Sequence, residues 1–166
     1  SCALAAVGAS FERDLLPGEI VTIDKDGLTC DRRCCGTAPQ KTCIFEYIYF
    51  ARPDSTIDGV NVHAARVNAG RILAKAYPVE ADLVIGVPDS GLDAAIGYAR
   101  ESRIPYGIGL IKNKYIGRTF ISPGQDHRVD QVKIKLSPIE SELRGKRVVL
   151  VDDSIVRGTT CARIVS

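Results

Sequence analysis

Several features that would settle the class of this chain at once are missing from it. No apolar run approaches the roughly 20 residues of a membrane-spanning helix, and the residues from Ser1 onward lack the basic start of a secretory signal. There is no Gly-x-x-x-x-Gly-Lys-Ser/Thr string, which excludes a P-loop nucleotidase. The six cysteines, at 2, 30, 34, 35, 43 and 161, form no Cys-x-x-Cys pair. With nothing pointing to secretion, a disulfide framework is not expected. Cys30, Cys34, Cys35 and Cys43 lie close in sequence, but no histidine is near them and their spacing matches no common zinc site. A net charge of +2 is too small to argue for nucleic acid. The expectation is a cytoplasmic protein with neither a membrane nor a nucleic-acid partner.

What is present fits a soluble globular chain. Its 166 residues are 45% hydrophobic and 25% charged. That length holds one ordinary domain or parts of two, and buries roughly two thirds of the unfolded surface. Charge is unevenly spread. Residues 1–62 carry a net −3 and residues 63–166 a net +5, so the second part attracts anions.

The chain begins abruptly at Ser1-Cys2-Ala3-Leu4, without a methionine, and reads as the inside of a domain. Leu15-Leu16-Pro17-Gly18 is a turn. Glu19 to Ile23 alternates apolar and polar residues, Asp26-Gly27 supplies a hairpin turn, and Leu28 to Cys30 returns. Asp31 to Thr42 is polar and loop-like. Ala65, Ala69, Ile72, Leu73 and Ala76 recur at helical spacing between Val62 and Tyr77, and Pro78 stops that helix. Asp82 to Val87 is a buried-type strand. It ends in Pro88-Asp89-Ser90-Gly91, after which Leu92, Ile96 and Ala99 line a helix face. Ile104 to Ile111 is a third strand, and Val129 to Leu136 suits a short helix or a strand equally. Strands alternating with helices argue a doubly wound α/β sheet.

The chemistry concentrates between Lys146 and Thr160. Val148-Val149-Leu150-Val151 reads as a buried parallel strand, with Asp152 and Asp153 at its carboxyl end. Ser154, Ile155, Val156, Arg157 and Gly158 form a short loop that opens a helix at Thr159 or Thr160. Ligands of open α/β sheets bind just outside the carboxyl ends of strands. Loop amides at a helix start suit a phosphate. Adjacent carboxylates instead accept hydrogen bonds from sugar hydroxyls or hold a divalent cation. Together these features describe a sugar-phosphate site. The loop Val87 to Gly91 has the same placement and suits a second phosphate or a pyrophosphate, although Asp89 also reads as a plain helix cap.

Val148 to Thr160 resembles the phosphoribosyl-pyrophosphate (PRPP) signature of type I phosphoribosyltransferases. The wording Val-Asp-Asp-Ser-Ile-Val-Arg-Gly-Thr-Thr is closest to the glutamine PRPP amidotransferase family. Pro88, Asp89, Ser90 and Gly91 resemble that family's pyrophosphate loop. Lys112-Asn113-Lys114-Tyr115-Ile116-Gly117-Arg118-Thr119-Phe120-Ile121 looks like its catalytic flexible loop. There Lys112, Tyr115 and Arg118 would cover the leaving pyrophosphate and offset its growing charge. The stretch Cys43 to Ser55 is similar to the family's domain junction. In its iron–sulfur branch a cysteine at the Cys43 position is one of four thiolate ligands of a [4Fe–4S] cluster, the other three lying downstream of Ser166. The Ser-Cys-Ala-Leu opening and Pro17 to Val21 resemble the end of the family's glutaminase domain. Cys2, followed by Ala3 and Leu4, does not match the glutaminase nucleophile.

The resemblance implies a type I phosphoribosyltransferase-like parallel sheet with helices on both faces, incomplete, preceded by the β-rich end of an N-terminal-nucleophile glutaminase domain. Residues 1–45 would be the end of the glutaminase part and 46–166 the start of the transferase part. The reaction implied converts PRPP to 5-phosphoribosylamine with ammonia from glutamine, releasing pyrophosphate and glutamate in purine biosynthesis. Asp152 and Asp153 would hold the ribose hydroxyls and a Mg²⁺ ion, and Ser154 to Thr160 the 5′-phosphate. Purine nucleotides would inhibit, and the enzyme would be a homo-oligomer. The isolated chain is expected to be a fragment inactive with glutamine. Two other readings use the same pocket: a type I transferase acting on a nucleobase, and a non-catalytic PRPP or nucleotide sensor.

Overall fold

A computed structural model describes residues 2–113, 136–155 and 158–165. It divides the chain into two compact units, residues 1–46 and 47–166.

The first unit holds α1 (Cys2–Ala6) and an antiparallel hairpin of β1 (Ile20–Asp24) and β2 (Gly27–Asp31). Ile20 faces Asp31 and Asp24 faces Gly27. The Asp24 carboxylate accepts the Asp26 N–H at 2.9 Å and so closes the turn. Before β1, Glu19 gathers the preceding turn. Its carboxylate accepts from both Arg13 terminal nitrogens at 2.7 and 2.9 Å, from Arg32 Nε at 2.9 Å and from the Leu16 N–H at 2.9 Å. Arg13 first, then the Leu16 amide and Arg32, hold the Glu19 carboxyl well below its ordinary value.

A π-helical turn, Glu46–Phe50, leads from the last residue of the first unit into the second, which continues with a small antiparallel pair, β3 (Thr56–Ile57) with β4 (Val60–Asn61). Asn61 caps α2 (Val62–Ala76), its side chain accepting the Ala64 N–H at 3.0 Å. Then come β5 (Leu83–Gly86), α3 (Leu92–Ser102), β6 (Leu110–Lys112), β7 (Leu136–Pro138), α4 (Glu140–Leu143), β8 (Val148–Val151) and α5 (Thr159–Val165).

β5 and β8 pair in parallel, Leu83 beside Val148 and Gly86 beside Val151. Every residue of β5 is buried. Alternate side chains leave its opposite faces. Val84 enters one cluster with Ala74, Ala95, Tyr98, Ala99 and Val151, from the α2 and α3 side. Leu83 and Ile85 enter another with Val87 and Leu110, against which Leu143 of α4 and Ile164 of α5 pack. The unit is thus α/β around a parallel pair, apolar on both faces.

Three details differ from the reading of the sequence. In α2 the buried residues are Val62, Arg66, Gly70 and Ala74, whereas Ile72 and Leu73 are exposed. The packing face is set by closeness to α3, not by hydrophobic bulk. A β-carbon built on Gly70 would overlap the Ala94 carbonyl oxygen, and one on Gly97 that of Val67. In α3 the fully buried residues are Asp93, Ala95, Gly97, Tyr98 and Ala99, with Leu92 and Ile96 half-buried. The strand expected over Ile104–Ile111 is reduced to Leu110–Lys112, antiparallel to β7, with one parallel bridge between Tyr106 and Val84. Pro105 supplies no N–H for a ladder, and Gly107 and Gly109 leave room for the Leu83 and Ile85 side chains. Of Val129 to Leu136, only Leu136 lies within the described residues, as the first residue of β7.

Candidate functional site

Because β5 and β8 are adjacent and parallel, their carboxyl ends finish at the same edge. The loops after Gly86 and Val151 therefore lie side by side. The Val87 N–H donates to the Val151 carbonyl at 2.9 Å, one step beyond the last strand pair. The Gly91 N–H then donates back to the Val87 carbonyl at 3.0 Å, closing a tight turn, and Gly91 becomes the N-cap of α3. No side chain caps that helix. Asp89 is consequently not a cap.

Two side-chain contacts tie this turn to its surroundings. The Ser90 hydroxyl donates to Asp153 Oδ2, and Lys112 Nζ, at the end of β6, pairs with the Asp89 carboxylate. The Pro88–Asp89 peptide is cis. The acid pair is itself organised. Ser154 Oγ donates to Asp153 Oδ1 at 2.6 Å, and the Asp153 N–H donates to Asp152 Oδ1 at 2.9 Å. Burial pushes the Asp152 carboxyl above its ordinary value; the Asp153 N–H opposes the rise and the Asp153 charge adds to it.

Of the residues expected at a site, Asp89, Ser90, Lys112, Asp152, Asp153 and Ser154 are placed within one constellation by these bonds. Ile155 is exposed. Gly158 takes a left-handed φ of 69°, and its carbonyl accepts the Ala162 N–H at 2.8 Å as α5 starts at Thr159. Val156, Arg157, Tyr115 and Arg118 lie outside the described residues, as do the side chains of Thr159 and Thr160. Cys43 is exposed. Among the described residues no group of three His, Cys, Asp or Glu side chains is placed to hold a metal ion. No thiolate set for a cluster therefore gathers around Cys43 there.

A buried charged group was not foreseen. Arg66 lies inside the second unit, donating through Nε to the Tyr47 carbonyl at 2.6 Å and through Nη2 to that of Ala51 at 2.8 Å. Its Nη1 is 3.9 Å from Asp93 Oδ2, and His63 Nδ1 is 2.9 Å from Asp93 Oδ1. Asp93 is two residues past the Val87–Gly91 turn, so this group braces the start of α3. The signal in the sequence was the spacing of Val62, Arg66, Gly70 and Ala74, four residues apart.

Comparison with known proteins gives a consistent picture. No protein-family model matches the chain. An amidophosphoribosyltransferase of Mycobacterium tuberculosis is 59% identical over 160 residues, covering 96% of this chain and 30% of that protein. One from Bacillus subtilis is 54% identical over 166 residues, covering all of this chain and 35% of the relative. One from Methanocaldococcus jannaschii is 52% identical, covering 99% and 38%. A solved structure described as the allosteric regulatory enzyme of purine biosynthesis superposes with a TM-score of 0.84 at 54% identity, over 99% of this chain and 35% of that one. The B. subtilis glutamine PRPP amidotransferase complexed with ADP and GMP superposes with a TM-score of 0.83 at 54% identity, over 99% and 36%. The chain spans about a third of the length of the relatives it matches.

Proposed function

We propose that this chain, similar over nearly all its length to part of the amidophosphoribosyltransferases, is the PRPP-binding part of such an enzyme. The complete protein would convert PRPP and glutamine-derived ammonia to 5-phosphoribosylamine, pyrophosphate and glutamate in purine biosynthesis. Residues 1–45 would close a glutaminase domain and residues 46–166 begin a type I phosphoribosyltransferase domain. It would work in the cytoplasm as a homo-oligomer and respond to purine nucleotides. Nucleotide binding is suggested by the relative complexed with ADP and GMP.

One observation carries the reading: the turn after β5 and the acid pair after β8 are joined by the Ser90–Asp153 bond at the carboxyl edge of a parallel pair. An anion-binding turn beside two carboxylates suits a ligand with phosphate at one end and hydroxyls between. Asp152 and Asp153 would accept the ribose 2′- and 3′-hydroxyls. Each carboxylate has about four lone-pair sites, so the serine bonds to Asp153 leave acceptors for the sugar. The Ser154–Thr160 loop would hold the 5′-phosphate and the Pro88–Gly91 turn the pyrophosphate. Lys112, with Tyr115 and Arg118, would cover the leaving group. Loss of pyrophosphate leaves a carbocation-like ribose, so catalysis rests on positioning and on charges placed before the reaction.

Asp152 and Asp153 are a fit for Mg²⁺ that arrives with its ligand. Among the described residues no third acidic partner joins the two adjacent carboxylates in a closed cage, and Mg²⁺ commonly takes one or two carboxylates plus substrate phosphate oxygens. Its contribution would be to neutralise pyrophosphate charge. In the complete protein Cys43 would give one thiolate to a [4Fe–4S] cluster, the other three coming, as the resemblance implies, from downstream of Ser166.

The test is calorimetric titration of PRPP with Mg²⁺ against the Asp152→Asn/Asp153→Asn variant. Binding by the parent sequence that the variant loses is the expected result. Equal binding by both would overturn the assignment of the acid pair.

A further inference from the structure

The pyrophosphate turn carries a group that looks wrong for its task. Asp89 projects a carboxylate from the middle of the turn, and a carboxylate repels a phosphate at contact distance. Yet it is not spent on capping α3, since Gly91 holds that position without side-chain help. Its partner is Lys112 Nζ, brought across by β6 from 23 residues further along. The pair is open to water on the carboxylate side: the Asp89 side chain is 72% exposed and that of Lys112 31%. Exposed ion pairs of this kind are weak and easily exchanged.

We propose that Asp89 is a positioning residue that keeps the Lys112 ammonium at the pyrophosphate turn and surrenders it to an incoming diphosphate. This rests on the reading of the turn as a pyrophosphate site. Lys112 is a compact point charge on a flexible stem, able to swing from one oxyanion to another without losing its hydrogen bonds. A diphosphate carries more charge than one carboxylate and wins that exchange. Meanwhile Ser90, the next residue, remains tied to Asp153, so the turn stays in place while the cation changes partner. Asp89 therefore weakens anion binding by competing for Lys112, while holding the ammonium where the anion will need it.

The experiment is titration of inorganic pyrophosphate, with and without Mg²⁺, into the complete protein that carries this sequence. Four forms are compared: unaltered, Asp89→Asn, Lys112→Gln and the double variant. Asparagine keeps the size of Asp89 and removes its charge, and the site is exposed, so folding is not at risk. Asp89→Asn should tighten pyrophosphate binding by about one-and-a-half- to five-fold, the range for releasing an exposed ion pair. The gain should shrink when Lys112 is already glutamine, leaving only the relief of direct carboxylate–phosphate repulsion. Lys112→Gln should accordingly cost more affinity with Asn at 89 than with Asp. Asp89→Asn that leaves affinity unchanged overturns the inference and leaves the pyrophosphate site standing. So does a loss of affinity that appears only with Mg²⁺, which would make Asp89 a metal ligand. No pyrophosphate binding by the unaltered protein overturns the site reading and the inference together.

Discussion

Ser90 and Asp153 are 63 residues apart in the chain, and the Ser90 hydroxyl donates to the Asp153 carboxylate. The bond joins two loops that follow neighbouring parallel strands, and it aims the carboxylate at their shared edge. Asp153 is held from its other oxygen by Ser154, so its plane is fixed by two hydroxyls. A preset carboxylate spares the ligand the cost of ordering it.

Replacing Ser90 by alanine should therefore weaken Mg²⁺-PRPP binding while leaving the fold intact. A hydrogen bond to a charged group contributes on the order of 1 kcal/mol or more, so a loss of roughly five-fold in affinity is expected. Calorimetry gives the affinity, and thermal unfolding should stay close to that of the unaltered chain. If Ser90→Ala binds PRPP as tightly as before, the bond does not organise the site.

Arg66 and Asp93 test a different kind of contact, a charge pair inside the fold. Arg66→Met removes the donor for the Tyr47 and Ala51 carbonyls and leaves Asp93 with His63 alone. Breaking a buried pair from one side typically costs about 3–5 kcal/mol, because the other charge stays buried. Urea unfolding should show a loss near that size. Arg66→Met/Asp93→Leu removes both charges and should recover part of it. A double variant that loses the sum of the two single effects would show that the pair is not coupled.

How far the sequence foretold all this depended on whether a feature was local. Val148 to Val151 and Leu83 to Gly86 were legible because a strand buried on both faces must be apolar at every position. A hairpin turn was legible at Asp26-Gly27 because turn chemistry is local, and the structure sets its two turn residues one position earlier, at Lys25 and Asp26, with Gly27 opening β2. The packing face of α2 was misjudged for a physical reason. Its contact with α3 is so close that only Gly70 and Gly97 fit at the crossing, and the charged end of Arg66 is consumed by backbone carbonyls. Glycine and arginine do not register in an apolar pattern. At the site, the residue types at each strand end were readable, but their pairing was not. Which of Asp89, Asp152 and Asp153 meets Lys112 is decided by how β6 and β5 pack, a relation between segments that no window of sequence contains.

Asp82 and Asp152 should respond to pH with opposite signs. Asp82, just before β5, accepts from the Arg147 side chain and from the Arg147 N–H, and these hold its carboxyl down to about 2 against an ordinary 3.8. The unfolded chain takes up that proton first as pH falls. The stability Asp82 contributes is thus present above 3.8 and lost between there and about 2. Asp152 is pushed the other way by burial. Below 3.8 it is protonated folded and unfolded alike and costs nothing. As pH rises past that value the unfolded chain ionises more readily, and the cost to the fold is complete once pH exceeds the raised value. At neutral pH, then, Asp82→Asn should lower the midpoint of thermal unfolding and Asp152→Asn should raise it, with both differences shrinking on acidification. Shifts of the same sign at pH 7 would contradict the two environments. If Asp152→Asn is more stable and binds Mg²⁺-PRPP less well, the fold is carrying a destabilising carboxylate because the ligand requires it.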